Sequence, residues 1–505
     1  MGEFVSSTEA NMGIAVSSDG TATVTSVSAA EGFEYEPSQD DPYRYMQGFG
    51  NRFASEAIPG SLPECGRNVP QRSPFDLYSE QLNGTSFISS RQSQLHVWMY
   101  RVRPSVAHRP LAPMLRNDDV QACFSPMNHS VQYTPLTYTW GPLDIPPADT
   151  GTVTFVSGLK TMGGHGDPTN KEGIAIHMYA ANTNMTDEAF CNNDGDFLII
   201  PNEGRLDIQT ELGNIWVKPG EIAVVQAGIR WRVSLPDGFA RGYIQEVYGT
   251  HYELPDLGPL GSNGMALPRD FKTPVASFNI DDSKWKVVIK LAGKFYSYEQ
   301  AWTPFDVVSW HGNYAPYKYD LSKFISFNTT LKEQIDPTAH TVLMARSKIP
   351  GVSLTEFAAF LPKWQTSTNT FRPPYYHRNM ATEIGGLIYG KYGGSSRQQV
   401  AGGLSFENSY MPHGETYDTW IKATTDSLEN VLVGTESLGF MLHISSHLSI
   451  TTFAMERHNC IRPQQVELWD NVQACFYDHI PAINAILLQK GLKPMSVPAQ
   501  SGLRK

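Results

Sequence analysis

A mostly β fold of the jelly-roll sandwich kind is predicted by three features of the sequence. Its apolar runs are short and closed by Gly or Pro, as in GIAIHMYAAN (173–182) and GDFLIIPNEGRLDIQTE (195–211), which are strand lengths with turn punctuation. Glycine and proline number 42 and 34, about 15% of the chain against roughly 12% in average usage. Charged residues make up only 18% of the 505, so little of the chain reads as solvated helix face.

Taken in order, residues 1–42 are acidic and rich in Ser, Thr and Ala. They offer too little apolar surface to offset the entropy of ordering and are expected to form a disordered leader. A large N-terminal β domain is expected over 43–321, with strands at GTVTFVSGL (151–159) and in the two runs above. The stretch 195–233 sets two strands around an NEG turn, then a PGE turn and the apolar strand EIAVVQAGIRWRV, the texture of a cupin-like jelly roll. Such a roll often carries metal-binding histidines on its inward strand face. Here the corresponding positions read Asp207, Gln209 and Glu211, so this half is expected to be scaffold.

A third region, 322–461, again reads as short strands, in runs such as KFISFN, HTVLMARS and FAAFLP, and holds most of the candidate polar residues. The tail, 462–505, places Val466, Trp469, Val472 and Phe476 at helical spacing, with Pro463 near the start, Gly491 past the end and Pro481 as an interruption.

Composition also excludes functions. The chain carries 39 basic and 50 acidic side chains, a net charge of −11, and so lacks the cationic footprint of a nucleic-acid binder or a polybasic membrane patch. No run of eighteen apolar residues occurs and the first residues show no secretory pattern. The five cysteines stand far apart with no CxxC pair, which speaks against a zinc knuckle or a disulfide framework and for a reducing, cytoplasmic setting.

The chemistry gathers in FRPPYYHRNMATEIGG, where His377 and Glu383 are six residues apart. Pro373 and Pro374 keep the segment extended. On a helix, six residues would turn the side chains about 240° apart, whereas an even spacing on extended chain keeps them on one face. YMPHGE adds His413. Two imidazoles and one carboxylate on one face of a metal leave neighbouring positions open for substrate and dioxygen, the arrangement of non-haem Fe(II) oxygenases.

Long segments then carry a resemblance: GFGNRFASEAIPGSLPE (48–64), DGDFLIIP (194–201), EVYGTHYELPDLGPLGSNGMALPRDF (246–271), WHGNYAPYKYD (310–320), FRPPYYHRN (371–379) and MPHG (411–414). Through them the chain resembles the homogentisate 1,2-dioxygenase family over almost its whole length after the leader. The resemblance implies a large N-terminal β domain, a smaller C-terminal cupin-like domain over 322–461 that holds a metal, and one Fe(II) per subunit on His377, Glu383 and His413. It also implies a homo-oligomer, a hexamer assembled from two trimers, and insertion of both oxygen atoms of dioxygen with opening of a hydroquinone ring. It places Tyr375 and Tyr392 in the substrate pocket, with Arg378 beside a ligand, where it would pair with a substrate carboxylate or with Glu415. His311 in WHGN is family-typical and reads as structural.

Two positions depart from the family pattern. A histidine of a HADP-like turn is replaced by Gln334 in QIDP, and one six residues before the PHG histidine by Glu407. Glutamine donates and accepts hydrogen bonds but does not titrate, and a carboxylate at 407 puts negative charge where an imidazole is usual. The leading reading is ring cleavage of a homogentisate-like phenol or hydroquinone, with Gln334 and Glu407 as catalytic residues selecting a different substituent. The alternatives are the ordinary homogentisate enzyme and a metal-binding relative without ring-cleaving activity.

Overall fold

The computed structural model describes residues 40–66, 69–256, 266–324, 340–364, 374–391, 399–458 and 469–496 apart from positions 116, 148 and 150, together with the strands Gly13–Val16, Ala22–Thr25 and Ile461–Pro463. Three β layers are stacked. The middle one is a ten-stranded sheet centred on Glu172–Ala181, Ala240–Tyr248 and Gly195–Glu203. These strands run antiparallel, with Ile176 opposite Gln245 and Ile199 opposite Ile244.

Alternate residues of this sheet serve two different cores. Phe197, Ile199, Val225 and Ile244 pack with Phe190, Ile208, Trp231 and Val233 of a seven-stranded sheet. Leu198, Ile200, Val224 and Tyr243 pack with Phe357, Ile384, Phe406 and Leu442 of an eight-stranded sheet. Successive strand residues point to opposite faces, so a sheet covered on both sides needs an unbroken apolar run such as FLII, with each fully buried side chain worth about 1.5–3 kcal/mol.

The shared sheet also props the sheet that carries the site. Tyr243 Oη donates to Leu387 O at 2.9 Å and Gly403 O at 3.1 Å, and Asn202 Nδ2 donates to Ile388 O at 2.6 Å. Charges inside the wall are paired, as burial requires. Lys290 Nζ lies 2.7 Å from both Asp194 Oδ2 and Glu246 Oε1, and His177 Nε2 meets Glu246 Oε2 at 3.0 Å.

Several expectations are corrected. Asp207 and Gln209 face away from the core, because Leu206, Ile208 and Thr210 take the inward places on their strand. Asp207 accepts the Tyr43 hydroxyl at 2.8 Å and Gln209 accepts Arg232 Nε at 2.8 Å, while buried Glu211 pairs with Arg101 at 3.1 Å. GTVTFVSGL is not a strand: Phe155 and Val156 are buried in a turn, and the strand is Leu159–Asp167.

In the tail the α-helix starts later than its periodicity suggests, at Ile480–Gln489 after a 3-10 turn over Cys475–His479. Pro481 stands in its first turn, where a missing N–H breaks no bond, and so opens the helix where an interruption was expected. A second helix, Tyr417–Thr425, was not foreseen. Within the leader, Gly13–Val16 pairs with Ala22–Thr25, which pairs on its other edge with Ser277–Ile280, a departure from disorder that the β-forming Thr and Val of ATVT favour. Val466 and most of KFISFN lie outside the described residues.

Candidate metal centre

The eight-stranded sheet sets Thr382–Tyr389 between Leu438–Ile444 and Leu404–Glu407. Glu383 lies opposite His443 on one neighbour and Glu407 on the other, and His443 lies opposite Glu356 one strand further out. Directly opposed residues share a face, so four titratable side chains form a row across the sheet. Ile384, Phe406 and Leu442, one position along, point into the core on the other side.

His377 and His413 reach this row from two irregular segments that clasp each other. His377 N donates to His413 O at 3.0 Å and His413 N to His377 O at 3.1 Å, which brings the ring centroids to 4.1 Å. His377 Nε2 lies 3.3 Å from Glu383 Oε1, and His413 Nε2 lies 3.3 Å from Glu383 Oε2. The ligand atoms of His377, Glu383 and His413 all fall within 4.8 Å of one another. The three residues expected from spacing therefore share one centre.

Neighbours fix the donors. The Met411 carbonyl lies 2.9 Å from His413 Nδ1 and can only accept, so Nδ1 carries a proton and Nε2 is the atom turned to the centre. Asn379 Nδ2 donates to Glu383 Oε1 at 2.8 Å. Burial would raise the Glu383 carboxyl, but the hydrogen bonds from His377 and His413, the His413 charge and the Asn379 amide outweigh it and hold the group far below the usual carboxylate range. Glu383 is thus an anion ready to bind a cation.

The other expected residues divide. Glu407 is 2% exposed, and its Oε2 lies 2.9 Å from His413 Nε2, so it belongs to the site. Tyr375 stacks obliquely on His377 with centroids 5.1 Å apart and is half exposed at the mouth; burial, then the Glu383 charge, push its phenol above the usual value. Arg378 is exposed next to His377. Gln334 and Tyr392 lie outside the described residues. His311 stands on Val307–Gly312 of a separate four-stranded sheet, 3.2 Å from the Tyr100 hydroxyl, a packing role. Asn379, His443 and Gln399 were not anticipated; only Asn379 had a signal, its place in the HRN triplet.

Comparison with known families now has a fold and a site to explain. Residues 44–321 match the model of the homogentisate 1,2-dioxygenase N-terminal region, and residues 322–476 that of the C-terminal region. The chain belongs to the homogentisate 1,2-dioxygenase family. It is 45% identical over 414 residues to the homogentisate 1,2-dioxygenase of Arabidopsis thaliana, covering 81% of this chain and 88% of that one. It is 43% identical over 439 residues to that of Drosophila melanogaster, covering 86% and 98%. Among solved structures, a cupin 2 conserved barrel domain protein from Leptotrichia buccalis covers 60% of this chain and 98% of its own at 8% identity and a TM-score of 0.24. The mostly β architecture expected from the sequence is the one its layered sheets display.

Proposed function

We propose that this chain is a non-haem Fe(II)-dependent dioxygenase that cleaves the ring of a homogentisate-like hydroquinone. The single observation that carries the reading is the convergence of His377, Glu383 and His413 on one centre. The donor set fits the metal: two neutral-imidazole positions and a pre-ionised carboxylate suit a divalent first-row ion with open neighbouring positions. An Fe(II) held there supplies Lewis acidity and a template on which an aromatic alcohol and dioxygen meet.

The protein's own groups hold the substrate and its protons. Arg378 and Tyr375 stand exposed at the mouth, a cation and a hydroxyl donor suited to an anionic aromatic acid. Glu407 sits beside His413 in a water-poor position, where Oε2 can take the proton that a phenol loses on ionising. Asn379 keeps the Glu383 carboxylate from rotating away. Gln334 would orient a ring hydroxyl without exchanging its proton. Glu407 favours a substrate whose substituents differ from those an imidazole would serve, since it brings a second negative charge close to Glu383.

Protein loaded with Fe(II) under anaerobic conditions and then given air should take up one dioxygen per hydroquinone, and a chelator should abolish the uptake. Gln334→His with Glu407→His should raise turnover of homogentisate relative to other hydroquinones, read with an oxygen electrode. Full iron loading without uptake on any hydroquinone would falsify the ring-cleavage reading. On the family pattern the chain is further proposed to be a cytoplasmic homo-oligomer, trimer or hexamer, which light scattering tests. Among the described residues no helix is long and apolar enough to cross a membrane.

A further inference from the structure

Glu383 and Gly385 lie on one face of their strand, and their partners across the ladder are Glu407 and Ser405. The row beside the metal ligands is thus Gly385–Ser405, and it lacks a side chain at its centre. A Cβ at Gly385 would stand 2.6 Å from Ser405 Oγ and 3.6 Å from Gln399 Nε2. The Gln399 amide therefore lies over the glycine, on the face that carries Glu383. Residues two apart on a strand are separated by roughly 6–7 Å, about the reach of one substituted benzene ring.

Gln399 is 8% exposed, and its Nε2 has no hydrogen-bond partner among the described residues. A buried amide donor left unpaired weakens a fold, so its presence beside a metal centre needs a reason other than stability. A ligand oxygen arriving between Glu383 and Gly385 would satisfy it. A hydrophobic side chain there would fill the space equally well without the penalty, but would read nothing on the ligand.

We propose that Gln399 is a specificity-determining residue of this site, its Nε2 donating to the hydroxyl oxygen on the side of the substrate ring remote from the metal ligands. This rests on the ring-cleavage reading and names the group that selects the substrate. Gly385, with no side chain, leaves the strand face beneath the amide open.

The test is anaerobic calorimetric titration of the Fe(II)-loaded full chain with two compounds, homogentisate and 2-hydroxyphenylacetate, which lacks the remote hydroxyl. Gln399→Met should weaken homogentisate about tenfold, the loss of one buried hydrogen bond, while 2-hydroxyphenylacetate stays within twofold, iron content is unchanged and Tm is equal to or above that of the parent. Gln399→Leu, also uncharged and without the donor, should repeat the pattern. Equal weakening of both compounds, or no weakening of either, overturns the assignment. A parent protein that retains iron yet binds neither compound overturns the ring-cleavage reading itself, and this assignment with it.

Discussion

His251 shows what one side chain contributes when both of its nitrogens meet acceptors. Nδ1 lies 2.8 Å from Asp196 Oδ2 and Nε2 lies 2.8 Å from Gly84 O, and neither partner can donate. Burial alone would lower its pKa, but the Asp196 charge and hydrogen bond, with the Gly84 carbonyl, push it up to about 9. A histidine whose folded value exceeds its unfolded one stabilises fully below about 6.5 and loses that effect as pH rises through about 9, a contribution of about 2–3 kcal/mol. The Tm gap between the parent and His251→Asn should accordingly be wide at pH 6 and shrink by pH 9.5. A gap of constant width would mean that the imidazole acts by shape and not by charge.

Among strands and turns, Gly204 is the most exacting position in the turn that carries the chain from Gly195–Glu203 of the ten-stranded sheet to Leu206–Thr210 of the seven-stranded sheet. Its φ is +78°, and a Cβ would stand 2.2 Å from Phe239 O. Gly204→Ala is expected to cost about 1–3 kcal/mol, measured as a lower midpoint in urea at unchanged slope; an unchanged midpoint would show that the turn relaxes freely. The turn was readable in advance because NEG punctuates two apolar runs, but the hairpin it suggested does not form, since the two strands pair with other partners in different sheets. GTVTFVSGL was misread because its β-branched residues carry strand propensity while tertiary burial of Phe155 and Val156 decides otherwise. The site was readable in the same uneven way. His377, Glu383 and His413 sit in short, distinctive segments, whereas His443 and Gln399 join them only through strand register and chain folding, which no local pattern encodes.

For the whole molecule the decisive feature is that the sheet carrying the candidate metal centre has no core of its own. Ile384, Phe406 and Leu442 pack on Leu198, Ile200 and Val224 of the ten-stranded sheet, so the family's C-terminal region, 322–476, lacks one wall without the N-terminal one. Residues 322–505 produced alone should show weak near-ultraviolet dichroism and no tight Fe(II) binding, and the full chain should unfold in one calorimetric transition. A folded, iron-binding fragment would refute this dependence.

The hydroxyl of Tyr243 spans that boundary, gripping the backbone of the strand that bears Glu383 and of the residue just before the strand that bears Glu407. Harmful changes in this gene product should therefore scatter over its length rather than crowd around three ligands. A screen of inactive variants would find many of them in the half of the chain that never touches the ion.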